Sequence, residues 1–79
     1  MNDPHTVSEG ALLRRINRRL QRTVFQRVLK LREDSRAYFD LGRFYVIDCS
    51  SRFLVDSHVD LEELARELGV LRPSERLAA

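Results

Sequence analysis

Two histidines, one cysteine and twelve carboxylates are the residues of this 79-residue chain with the types for catalytic or metal chemistry. Their spacing draws no set of them together. His5 falls in a polar N-terminal stretch, Cys49 in an expected turn and His58 near the end of an expected strand. A metal ion needs several such ligands converging at fixed spacing. A nucleophilic thiol needs a neighbouring base and a lowered pKa, and only His58 stands close enough in the expected hairpin to offer one. Acid–base catalysis calls for a carboxylate in an apolar cleft, whereas Glu33, Asp34, Glu62, Glu63 and Glu67 all fall on polar helix surfaces. Gly10, Gly42 and Gly69 stand alone and form no phosphate loop. The sequence therefore predicts a protein that is not an enzyme and takes no metal or cofactor. A small toxin or other enzyme would require Tyr45, His58 and an arginine to converge in space.

Binding chemistry is much better represented. Residues 11–32 carry eight positive charges, Arg14, Arg15, Arg18, Arg19, Arg22, Arg27, Lys30 and Arg32, with no carboxylate among them. Residues 33–79 hold ten carboxylates against six arginines, so a net charge of only +2 conceals a basic half and an acidic half. Such division points to an electrostatic partner, either a polyanion or the protein's own other half, within the chain or across a dimer. Arginine forks bind phosphates bidentately, and Arg14, Arg15, Arg18, Arg19 and Arg22 are the candidate partner or nucleic-acid surface. Asn17 and Gln21, interleaved with them, have the amides to read base edges or backbone. Glu62, Glu63 and Glu67 form a second candidate charged surface, suited to a basic partner.

The elements that must hold these residues read as α-β-β-α. Leu12, Leu13, Ile16, Leu20, Val24, Val28 and Leu31 recur at threes and fours, which predicts one long helix capped by Thr6 and Glu9 and ending near residues 33–35. The arginines gather on the face away from that stripe. Phe25 and Leu29 fall behind it and hint at a second contact surface. Residues 43–48 and 52–59, rich in aromatic and β-branched types, predict an antiparallel β-hairpin joined through 48–51. Tyr45 and Ile47 make the first strand apolar on both faces, so Phe25, Leu29, Tyr45 and Ile47 form a candidate dimer surface. Residues 36–41 fit either a last helical turn or a lead-in strand. Asp60 and Glu63 predict the cap of a short second helix, with Gly69 and Pro73 ending it. The stretch 63–74 is like the first half of a helix-turn-helix, but a recognition helix must follow it, and only residues 75–79 do.

Length allows one small domain over 1–79, with 1–6 and 74–79 expected as tails, and a core modest enough that dimerisation would supplement it. A single cysteine excludes an intrachain disulfide and fits a reducing cytoplasm. No apolar run approaches the length that spans a bilayer, and the first ten residues lack a signal sequence. A cytoplasmic α+β protein without membrane association is the expectation.

Three stretches carry a further likeness. Arg15-Ile16-Asn17-Arg18-Arg19-Leu20, the segment from Asp40-Leu41-Gly42-Arg43-Phe44 to Tyr45-Val46-Ile47-Asp48, and the helix 59–71 together resemble small proteins of proteobacterial phages, plasmids and integrative elements. Anti-CRISPR inhibitors belong to that setting. The resemblance implies a non-enzymatic binding protein that inhibits or adapts a host nucleoprotein complex by occupying its surface. Many anti-CRISPR proteins mimic DNA with acidic surfaces, and the basic first helix here departs from that pattern. The other reading is a small regulator that binds RNA or DNA directly through the arginine-rich helix.

Overall fold

Ser8, rather than Thr6, opens the first helix in the computed structural model, which describes residues 5–78. The Ser8 hydroxyl accepts from the Ala11 N–H at 3.2 Å and α1 runs over Glu9–Thr23. Thr6 is excluded from capping because Thr6–Val7 forms a short strand, β1. Instead of continuing toward residue 33, the chain turns at Phe25, whose φ of 53° is left-handed, and enters β2, Gln26–Lys30. A short helix α2, Tyr38–Leu41, leads to β3, Phe44–Asp48, and β4, Leu54–Asp56. Helix α3, Leu61–Glu67, and strand β5, Arg76–Leu77, complete the chain.

Among the described residues the expected α-β-β-α hairpin is thus corrected to three helices and five strands. Strands β2, β3 and β4 form an antiparallel sheet in that order, while β1 and β5 pair in parallel. The second half of the expected long helix is an edge strand because its apolar spacing of four residues satisfies a strand as well as a helix. Val24 and Val28 share a face in either geometry. The odd residues Phe25, Leu29 and Leu31 then supply the alternation of a strand with two apolar faces.

Asp60 caps α3 as its sequence predicts, its carboxylate accepting from the Glu63 N–H at 3.0 Å. Gly69, at φ 72°, ends the helix, and the Val70 N–H folds back to the Ala65 carbonyl. The segments 1–6 and 74–79, expected as tails, meet in part. The Arg76 N–H donates to the His5 carbonyl at 2.9 Å and the Ala78 N–H to the Val7 carbonyl at 2.8 Å. Residues 1–4 and 79 lie outside the described residues.

One face of the sheet carries Val28, Phe44 and Val46, and α1 and α3 lay Leu12, Ile16, Leu20, Leu61 and Ala65 on it. Val7 and Leu71 close the ends of this core. The result is two layers, and the molecule measures only 15 Å across its thinnest direction. Asn17, half-buried on α1, fastens the layers together. Its amide oxygen accepts from the Val28 N–H at 2.7 Å and its amide nitrogen donates to the Val28 carbonyl at 3.2 Å. The Leu31 N–H bonds the Arg43 carbonyl and the Cys49 N–H the Phe25 carbonyl, so the odd residues of β2 face β3. Val28 consequently points its backbone groups off the sheet edge, where Asn17 satisfies both.

The connection from α2 into β3 is sterically tight at Gly42, which is buried with φ 76°. A Cβ there would lie 2.8 Å from His58 Nδ1 and 2.9 Å from His58 Cα, itself at a left-handed φ of 51°. Gly69 has a similar φ with nothing within 4 Å of a Cβ. Gly42→Ala is therefore expected to destabilise by about 2 kcal/mol or more, and Gly69→Ala by only about 1 kcal/mol. Urea unfolding of the two variants checks the difference, which isolates the clash with His58.

Candidate nucleic-acid interface

Fifteen residues of helix place the arginines by geometry alone. At 100° per residue, Arg14, Arg18 and Arg22 form one column along α1 and Arg15 and Arg19 the column beside it. All five residues are exposed, Arg14 and Arg18 pointing farthest from the buried Leu12, Ile16 and Leu20 and Arg19 bordering that stripe. Together with Ala11 and Val70 they line an open groove of about 440 Å³ between α1 and the segment that follows α3. Ala11 and Val70 are half-buried and give the groove an apolar floor.

The arginines divide by what they touch. Arg15 is committed within the chain: its guanidinium donates to Glu75 Oε1 at 3.2 Å, to Glu75 Oε2 at 3.4 Å and to the Val70 carbonyl at 3.2 Å. Glu75 also accepts from the Arg72 N–H at 3.0 Å. That backbone bond and then Arg15 hold the Glu75 carboxyl below its ordinary range. Arg14, Arg18, Arg19 and Arg22 make no ion pair and no side-chain hydrogen bond among the described residues. Among the described residues the acidic half meets this face only through Glu75. Glu9 answers Lys30 at 2.6 Å and Arg43 at 3.3 Å. The Lys30 hydrogen bond is the main reason its carboxyl is lowered, with Arg43 adding to it. Asp34 pairs with Arg32 and Glu62 with Arg66, each within its own neighbourhood.

Asn17 does not serve as a reader of bases, since both of its amide groups are engaged by Val28. Gln21 remains exposed beside the arginine columns. Of the second charged surface, Glu62 is half-buried, pairs with Arg66 at 2.8 Å and accepts from the Leu77 N–H at 3.4 Å, which ties α3 to β5. Glu63 and Glu67 are exposed and line a smaller hollow with Asp56, His58 and Asp60. Leu29, Tyr45 and Ile47 line neither groove and alternate away from the core-facing Val28, Phe44 and Val46, while Phe25, at the turn before β2, is exposed and outside the strand register.

Tyr45 and His58 make no side-chain hydrogen bond among the described residues, and no group of three His, Cys, Asp or Glu there could hold a metal ion. Cys49 is half-buried and free. Asp48 organises the β3–β4 turn, accepting from the Ser51 and Ser50 N–H groups at 2.9 Å each, and these two bonds lower its carboxyl. The residues in the place of a recognition helix form β5 instead. No helix of the described residues is long and apolar enough to cross a membrane.

Sequence reasoning picks out the arginines but not the apolar floor at Val70 or the Glu75 clamp. Both depend on how the segment after Gly69 folds back over α1, for which the only local signal is the turn-forming Arg72-Pro73-Ser74. Taken together, the fold and the groove define a two-layer α+β domain that presents a basic helix face. No protein-family model, no curated protein and no solved structure matches the chain.

Proposed function

We propose that this is a non-enzymatic cytoplasmic protein that binds the phosphate backbone of nucleic acid through the exposed face of α1. The observation that carries the reading is the row of Arg14, Arg18, Arg19 and Arg22, left without an anionic partner while Arg15, Lys30, Arg43 and Arg66 each meet a carboxylate. Four like charges on two turns of helix repel one another, at a cost of a few tenths of a kcal/mol per i,i+4 pair. A polyanion turns that cost into attraction. The face extends about 12 Å from residue 14 to residue 22, and a duplex presents about seven phosphate charges over such a length. With Asn17 turned inward, recognition is directed at phosphates and carries little base reading.

The test is a titration of labelled duplex DNA, with single-stranded RNA in parallel, across a series of salt concentrations. Four phosphate contacts predict a log–log slope of about −3.6 on duplex DNA, a loss of about 100-fold between about 50 and 200 mM salt. Absence of binding at the low-salt end overturns the proposal. A second reading is occupation of a host nucleoprotein complex by an anti-CRISPR-like inhibitor of a phage or mobile element. It draws on the exposure of Phe39 at 89% and Phe53 at 76%, since exposed aromatics are typical protein-contact residues. That reading predicts binding to the assembled complex and none to free nucleic acid.

A further inference from the structure

Among the described residues, Arg15 is the arginine of the α1 groove whose charge is already answered. Its Nη1 donates to the Val70 carbonyl and to Glu75 Oε1, and its Nη2 to Glu75 Oε2. The Glu75 side chain is only 15% exposed and is held a second time by the Arg72 N–H. A phosphate would have to displace it to reach the same nitrogens. Guanidinium hydrogen bonds lie in the plane of the group, so these bonds occupy its edge and fix its orientation. Its flat faces take no part in them. The Arg15 side chain stays 42% exposed and lines the groove beside Ala11 and Val70.

We propose that the groove seats an unpaired base of single-stranded nucleic acid. The base lies on the Ala11–Val70 floor against the flat face of Arg15, while Arg14, Arg18, Arg19 and Arg22 hold the phosphates to either side. This seat presupposes the nucleic-acid binding proposed above and narrows it to one class of ligand. Three features favour a base as the occupant. The floor is apolar and half-buried, so a phosphate gains nothing there, whereas a base has an apolar face to lay on it. A volume of about 440 Å³ falls within the range of sites that hold small organic groups. The four uncommitted arginines extend about 12 Å along α1, farther than a single phosphate reaches, which suits a strand rather than a free nucleotide.

A duplex keeps its bases paired and stacked inside, so it can lay no base face on this floor. A single strand can turn a base outward, and guanidinium planes are among the surfaces on which such bases stack. Stacking is tolerant of base identity, in keeping with the inward turn of Asn17 and the loss of its amide as a reader. Arg15 is then a stacking platform, and Glu75 orients its plane.

The test titrates a short single-stranded oligothymidylate, and the same phosphodiester backbone lacking its bases, at several salt concentrations. The base-bearing strand is expected to bind about tenfold more tightly. Stacking releases no counterions, so that ratio is expected to hold as salt rises while both affinities fall. Arg15→Lys keeps a positive charge beside Glu75 and removes the plane, and is expected to lower the ratio by about threefold or more. Both affinities are measured on one preparation, so an unfolded fraction cancels from the ratio. Equal binding of the two strands by the wild type overturns the seat for a base and leaves phosphate binding standing. So does a ratio unchanged in Arg15→Lys, or binding of duplex DNA with none of the single strand. Failure of every nucleic acid to bind at low salt overturns the nucleic-acid reading itself and this seat with it.

Discussion

Replacing Arg18 and Arg19 together by glutamate is expected to lower nucleic-acid affinity by about 100-fold or more with no loss of helix. Each arginine–phosphate bond is charge-assisted and worth about 1.5–3 kcal/mol, so losing two costs about 3 kcal/mol or more, and about 1.4 kcal/mol is a factor of ten. The introduced carboxylates add repulsion to the loss. On duplex DNA the salt slope is expected to flatten by about 1.8. The same pair of changes is benign to α1 by construction. A glutamate at position 18 stands four residues from both Arg14 and Arg22, and one at position 19 stands four from Arg15. Like-charge neighbours are thereby replaced by opposite ones. Circular dichroism and the binding titration, run on one sample, separate the two effects. Unaltered affinity in a folded double variant removes the arginine face as the contact surface.

Asn17→Ala is expected to produce the largest stability loss of any polar substitution in the chain, about 2–4 kcal/mol. Alanine leaves both backbone groups of Val28 without a partner, and Val28 is only 1% exposed. An unsatisfied buried group costs about 1–3 kcal/mol. A domain of this length is stable by about 4–12 kcal/mol in all, so a Tm lower by about 10–20 °C follows. Gln21→Ala provides the control on the same helix. Gln21 is exposed and makes no hydrogen bond through its side chain among the described residues, and its removal should change stability by no more than about 0.5 kcal/mol. Equal melting of the two variants would show that Asn17 does not hold α1 to the sheet. The folded fraction of Asn17→Ala should bind nucleic acid as the wild type does, because Asn17 faces inward.

These two neighbours in sequence, Asn17 and Arg18, illustrate how far residue type alone carries. Both read as surface groups of one helix, and an arginine among arginines does belong on the surface, since no buried partner of opposite charge lies within reach. An asparagine is different. Its amide is neutral and can match a peptide group, but a use of that kind requires a strand edge beside the helix, and no such edge exists if the helix continues through residue 28. The misplaced end of α1 therefore conceals the role of Asn17. The alternation of Phe25, Leu29 and Leu31 against Val24 and Val28 is the available signal for the strand. It competes with a spacing of four that both periods share.

The charge division, the caps and end of α3, the strand character of residues 44–48 and the arginine columns are all written locally in the chain. Each follows from interactions within a few residues: a carboxylate over the next three N–H groups, a glycine at positive φ, the 100° step of a helix. Other features arise only when the chain is folded. Residues 26–30 pair with 44–48, Thr6 and Val7 meet Arg76 and Leu77, and Glu75 rather than the exposed face of α3 answers Arg15. The gathering of Leu29, Tyr45 and Ile47 on one sheet face belongs with them. Their physical cause is pairing between segments far apart in the chain, which local propensity does not encode. Packing selects it by satisfying the backbone of an edge strand and burying a common core.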